Sequence, residues 1–138
     1  MAIGKNKTED TAELLRKYYL LPKRYRGREL EIVFENEANY SGVYAELADA
    51  LSLEVGASIE GVAKLEDNEG HSVYADVYAE GDIAEEVLAI PEGTRVRARA
   101  ITLFGIFKTV EWGEDGPITR LEERTGLLLK TITKVEHP

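Results

Sequence analysis

Apolar residues recur along this chain with two periods. From residue 9 to residue 21, Leu14, Leu15, Tyr18, Tyr19 and Leu21 fall on one stripe of a helix. Thr8 or Asp10 can cap it, and Pro22 ends it because the residue before a proline avoids the helical region. The period then drops to two. In ELEIVFE, residues 29–35, Leu30, Ile32 and Phe34 point one way while Glu29, Glu31 and Glu35 point the other, the pattern of a half-buried strand. Ser41 can cap a helix over 42–52 with Val43, Leu47 and Leu51 on one face. ASIEGVAKLE, residues 57–66, alternates again, with Ile59, Gly61, Ala63 and Leu65 inward. DNEG is a turn, and HSVYADVYAE, residues 71–80, returns as the second arm of a hairpin. GDIAEEVLAI reads as one or two helical turns capped by Asp82. A long strand begins at Thr94 and bends at Gly105; WGEDGP is a loop, and GLLLKTITKVE, residues 126–136, is a closing strand.

These elements predict a β-dominated α+β fold, either an antiparallel closed sheet or a strongly curved one, with an N-terminal helix and one or two short helices. The 138 residues suit a single domain. Its parts are a flexible segment 1–8, a helix and basic turn over 9–28, and a β-rich core over 29–138. No run approaches the ~18 apolar residues of a membrane helix, and no apolar signal core opens the chain. Cysteine is absent, which removes disulfides and thiolate metal sites and fits a reducing, cytoplasmic setting.

Charge changes the picture more than composition does. The net charge is −9. Residues 1–28 hold eight Lys and Arg against three Asp and Glu; residues 29–92 hold one against seventeen; residues 93–138 hold eight against six. Such segregation points to a charged partner or to internal pairing between basic and acidic strands. The sharpest case is GTRVRARAITLFGIFKTVEW, residues 93–112. Alternation puts Arg95, Arg97 and Arg99 on one face, their guanidinium groups roughly 7 Å apart, a spacing that suits a phosphate backbone. Phe104, Phe107 and Trp112 offer stacking faces beside Lys108, as single-strand binders use. The competing reading pairs the arginines with Glu60, Glu66 or Asp76 and buries the aromatics.

Two further sites follow from the same logic. Tyr74 and Tyr78 share the outer face of their strand if Val73, Ala75, Val77 and Ala79 face the core; the opposite orientation buries both. YYLLPKRYRGR places Lys23, Arg24, Tyr25, Arg26 and Arg28 in a basic, aromatic turn suited to clamping nucleic acid. Catalytic patterns are lacking. His71 and His137 do not form a two-histidine metal site, EDNEG lacks calcium-loop spacing, and WGEDGP is no phosphate loop. Adjacent carboxylates such as Glu85 and Glu86, or Glu122 and Glu123, would point to opposite faces of a strand and make poor acid–base partners. No cofactor and no metal are expected.

ELEIVFE together with residues 57–136 resembles an OB-fold, and is most similar to replication-protein-A-type domains. The pieces that carry the resemblance are ELEIVFE as strand one, ASIEGVAKLE and HSVYADVYAE as strands two and three, and GDIAEEVLAI as the helix that follows them. PEGTRVRARAITLFG and GLLLKTITKVE supply strands four and five. The helix at 42–52 and the segment 106–118 lie outside that pattern. The resemblance implies a five-stranded Greek-key barrel that binds across strands two and three and their flanking loops. It places Tyr74, Tyr78 and Lys64 near that surface and Arg95, Arg97 and Arg99 on or beside it. The leading expectation is therefore a non-enzymatic protein that binds single-stranded nucleic acid. The alternative is a protein-interaction or self-assembly module, including a nucleic-acid charge mimic. A third reading is a small enzyme with a pocket around Asp76.

Overall fold

A computed structural model describes residues 26–36, 39–66 and 72–136. Six strands and two helices follow in order: β1 Glu29–Glu35, β2 Ser41–Gly42, α1 Ala45–Leu51, β3 Ser58–Glu66, β4 Ser72–Glu80, α2 Gly81–Leu88, β5 Arg95–Gly113 and β6 Gly116–Glu136. The sheet order is β1-β5-β6-β4-β3-β2, and β1 also pairs with β3. That last pairing, Phe34 with Leu65 and Glu35 with Lys64, joins the two sides of the sheet into a ring of five strands, with β2 as a short addition on β3. The helix α2 stands between the third and fourth strands of the ring, as the OB-fold resemblance implies. One pairing departs from the antiparallel expectation. β4 and β6 run parallel at Val77–Leu127 and Tyr78–Leu128, which makes the sheet mixed.

The alternation read from sequence sets the inner face of the ring. Leu30, Ile32 and Phe34 of β1 meet Ala63 and Leu65 of β3, Val77 of β4, Val96 and Ala98 of β5, and Leu127 and Leu129 of β6. Val87 of α2 joins the same core. Asn36, 1% exposed, ties the end of β1 to the chain after α2. Its amide donates to the Ile90 carbonyl at 2.9 Å, its side-chain oxygen accepts from the Tyr40 hydroxyl at 2.7 Å, and Gly93 N–H donates to its backbone carbonyl at 2.8 Å.

A second core lies outside the ring. Val43, Leu47, Leu51 and Leu53 pack on Tyr78, Leu103, Phe107 and Leu128. The outer face of β5 therefore changes character along its length. Arg95, Arg97 and Arg99 are exposed, whereas Leu103, Gly105 and Phe107, on the same alternate, lie under α1. Two glycines permit this layer. A Cβ on Gly105 would collide with the Ala50 carbonyl of α1, and one on Gly126 would collide with the Tyr78 ring.

Several sequence expectations shift here. The helix predicted over 42–52 starts at Ala45, and Ser41 does not cap it. Ser41 and Gly42 instead pair with Glu60 and Ile59, and the N-cap position is Tyr44, without a side-chain cap bond. Asp82 likewise sits in the first turn of α2, with Glu80 at the N-cap. The largest correction concerns 106–125. WGEDGP is not a loop but the tip of a long hairpin whose turn is the two residues Glu114 and Asp115, and β5 and β6 stay paired residue for residue from Phe104–Thr125 to Gly113–Gly116. The N-terminal helix, the turn at 67–70 and both histidines lie outside the described residues.

Candidate functional site

The middle of the outer face of β3 and β4 carries the cross-strand pairs Glu60 with Tyr78, Val62 with Asp76, and Lys64 with Tyr74. The two ends of this stretch differ. At the Tyr78 end the second core covers the face, and Tyr78 is fully buried. At the other end no described residue covers it, and Tyr74 is 64% exposed. The orientation with Val77 and Ala79 inward is thus the one adopted, yet only one of the two tyrosines reaches solvent.

Between this open end and the base of the β5–β6 hairpin runs a groove of about 660 Å³. Val62, Tyr74 and Asp76 form one wall, and Leu121, Glu123 and Arg124 are among the residues of the other. Arg124 stands opposite Gly105 in the hairpin, and its guanidinium carbon lies 5.6 Å from the centre of the Phe107 ring, a cation–π contact. The same ring meets Tyr44 edge-on, with centroids 6.3 Å apart. Tyr78, Tyr44 and Asp76 all act on Arg124 electrostatically. Burial holds the Asp76 carboxyl above its ordinary value of 3.8, against the pull of Arg124. The Tyr78 hydroxyl is also pushed up, by burial first and then by the carboxylates of Asp76 and Glu60, with Arg124 opposing. Arg124 faces that hydroxyl without closing a well-formed hydrogen bond, so the buried oxygen lacks a partner among the described residues.

The hairpin beyond the groove is open to solvent on both faces, and one of them carries an apolar stripe. Ile106, Val110 and Trp112 alternate along β5, with Leu121 across from Lys108 and Pro117 across from Trp112. Trp112 is 81% exposed and Leu121 70%.

The arginine stripe has partners within the chain. Arg97 donates to Glu31 at 2.8 Å, Arg99 to Glu29 at 2.6 Å, and Arg95 lies 3.6 Å from Glu136. These are carboxylates of β1 and the end of β6, not Glu60, Glu66 or Asp76. The physical reason is register: β1 is the antiparallel neighbour of β5, and three of its outward residues, Glu29, Glu31 and Glu35, are glutamates. Phe104 and Phe107 are 9% and 8% exposed, so neither offers a ring face to a base. Lys108 and Trp112 are exposed on the hairpin. Arg26 and Arg28 are exposed in the turn before β1, where Arg28 N–H donates to the Thr102 hydroxyl at 2.9 Å and anchors the turn to β5. Lys23, Arg24 and Tyr25 lie outside the described residues.

Sequence reasoning missed Arg124 and Leu121. The signal was present: two polar residues, Glu114 and Asp115, between Gly113 and Gly116 suit the two-residue turn of a hairpin. Pairing Gly113 with Gly116 counts Arg124 back to Gly105 and Leu121 to Lys108. Among the described residues no group of three or more His, Asp or Glu side chains is placed to hold a metal ion, and no helix is long and apolar enough to cross a membrane.

The fold and groove define a β-dominated α+β domain of OB type. No protein-family model and no curated protein matches the sequence. Among solved structures the chain is similar to the mitochondrial single-stranded DNA-binding protein Rim1 from S. cerevisiae, at 14% identity and a TM-score of 0.45, covering 78% of this chain and 93% of that one. It is also similar to a small single-stranded DNA-binding protein from Streptomyces coelicolor, at 16% identity and a TM-score of 0.40, covering 81% and 94%.

Proposed function

We propose that the protein binds single-stranded nucleic acid, without catalysing a reaction on it, along the open end of the β3–β4 face and up the β5–β6 hairpin. The observation that carries this reading is the exposure of Tyr74 beside a groove on the face where OB-type domains take their ligands. Tyr74 supplies a stacking platform in the groove and Trp112 a second one on the hairpin, roughly 24 Å along the strand from Gly105. Arg124 is the cation at the groove, and Lys108 is the cation between the two platforms. The stripe of Arg95, Arg97 and Arg99 stands aside in this reading, because each guanidinium faces a carboxylate.

Fluorescence anisotropy of a labelled oligonucleotide of ~20 residues, single- and double-stranded, tests the reading. The single strand is expected to bind and to quench Trp112. Tyr74→Ala and Trp112→Ala should each weaken binding about tenfold, within the range for loss of one stacked base. The triple change Arg95/Arg97/Arg99→Ala should weaken it less than Tyr74→Ala. No binding at low salt would overturn the proposal.

The exposed apolar stripe of Ile106, Val110, Trp112 and Leu121 favours a second reading, self-association through the hairpin face. Sedimentation decides it: a mass above the 15.4 kDa monomer that Trp112→Ser returns to monomer supports assembly, and a monomer at all concentrations removes it.

A further inference from the structure

We propose that the groove reads bases through their hydrogen-bond donors, so that it takes bases bearing an exocyclic amino group in preference to thymine or uracil. The inference rests on the nucleic-acid reading above and names its substrate class. A groove that tracks phosphates is lined by cations. This one brings the Asp76 carboxylate near the guanidinium of Arg124, with Glu122 and Glu123 among the residues of the β6 wall. Such a lining repels a backbone and suits the edge of a base.

The placement follows from strand geometry. Tyr74 and Asp76 are two residues apart on the outer face of β4, roughly 7 Å along the strand. A base stacked on the Tyr74 ring therefore has its edge within reach of the Asp76 carboxylate. An ionised carboxylate only accepts hydrogen bonds. The amino groups of cytosine, adenine and guanine donate to it, as in the pairing of acidic side chains with cytosine N4. Thymine and uracil instead flank their single ring N–H with two carbonyl oxygens, which face a carboxylate unfavourably. Arg124, a donor-only fork held over Phe107, supplies the complement for a carbonyl. Cytosine and guanine carry an amino donor and a carbonyl acceptor on one edge and match the Asp76–Arg124 combination most fully. The strain on Asp76 points the same way. Its carboxylate is partly desolvated and only partly compensated by Arg124, so a donor brought by the ligand improves its surroundings.

Anisotropy with labelled 20-residue oligo-dC, oligo-dA and oligo-dT at one salt concentration and neutral pH tests the proposal. Oligo-dC is expected to bind roughly five- to tenfold more tightly than oligo-dT, with oligo-dA between them. Asp76→Asn puts an amide that both donates and accepts in place of the carboxylate. It should bring the two pyrimidine oligomers within about twofold of each other, with the circular dichroism spectrum unchanged. Tyr74→Ala should weaken all three alike. Oligo-dT binding as tightly as oligo-dC, or a preference that Asp76→Asn leaves intact, overturns the inference while the nucleic-acid reading stands. Failure of all three oligomers to bind overturns both.

Discussion

Tyr78 and Asp76 share one face of β4 and meet opposite fates, because α1 covers the first and the groove exposes the second. Tyr78 buries a hydroxyl that Arg124 faces but that has no well-formed hydrogen bond among the described residues. Removing that oxygen leaves the ring packed against Leu47 and Leu103 and deletes an unsatisfied group. Tyr78→Phe is therefore expected to leave stability unchanged or raise it by up to about 1 kcal/mol. Tyr78→Ala, which empties the second core, should lose about 3–5 kcal/mol. Urea unfolding checks both. Asp76 carries a pH signature. Its folded-state pKa is raised, so the folded chain holds that proton more tightly than the unfolded chain does. The stability tied to this group is thus full below 3.8, its ordinary value, and is lost as pH rises through the raised value. Asp76→Asn should accordingly be at least as stable as the parent at neutral pH. That advantage should shrink as pH falls towards 3.8, which thermal unfolding across a pH series measures.

At the scale of elements, α1 is the addition that gives the ring an outer layer. It is seven residues long, and an isolated helix of that length is not stable in water, so packing holds it. The contact depends on Gly105, where the strand must let the Ala50 carbonyl approach. Gly105→Ala should cost about 1–3 kcal/mol by displacing α1. The loss would appear as increased amide exchange over residues 45–51 ahead of the ring strands. The β1–β5 pairing carries the exposed ion pairs. Their worth is small because water screens them: a double-mutant cycle on Glu31 and Arg97 should give a coupling below about 1 kcal/mol that falls with added salt. The arginine stripe helps to select the β1 neighbour more than it holds the sheet together. The inner face, with Ile32 opposite Ala98 and Phe34 opposite Val96, supplies the burial.

Across the whole molecule, stability and binding sit in different places. The ring and its two cores are closed below Phe107, whereas the hairpin beyond it is almost wholly exposed. Replacing residues 108–121 by a two-residue turn that joins Phe107 to Glu122 should leave the cooperative thermal transition in place. It should weaken single-strand binding by the loss of Trp112 and Lys108, as anisotropy would report. The acidic groove also shapes the expected salt response. With Arg124 turned to the base edge and Lys108 the principal phosphate-side cation, the slope of log affinity against log salt should be about 1, far below that of proteins that neutralise six or more phosphates.

Alternation of apolar and polar residues by itself determined the strands of this protein and their inward faces, because side-chain direction in a strand is local and repeats every two residues. Leu30, Ile32 and Phe34 could point together only if their neighbours pointed away, and so for Ala63 and Leu65. The OB-type order of strands and the helix after the third were legible for the same reason. What covers an outward face is not local. Tyr74 and Tyr78 have the same alternation and the same type of residue, and α1, some thirty residues earlier, decides which of them is buried. The arginines at 95, 97 and 99 announced charge pairing, but their partners came from the strands laid beside them: Glu29 and Glu31 of β1 for Arg99 and Arg97, more than sixty residues away, and Glu136 of β6 for Arg95. The hairpin was hidden because its arms leave the ring: Lys108, Val110 and Trp112 on one arm, with Thr119 and Leu121 on the other, have no core to impose an alternation. Cross-strand pairing alone keeps them extended, and only the tertiary structure brings Leu121 and Arg124 back to face Tyr74 and Asp76 across a groove.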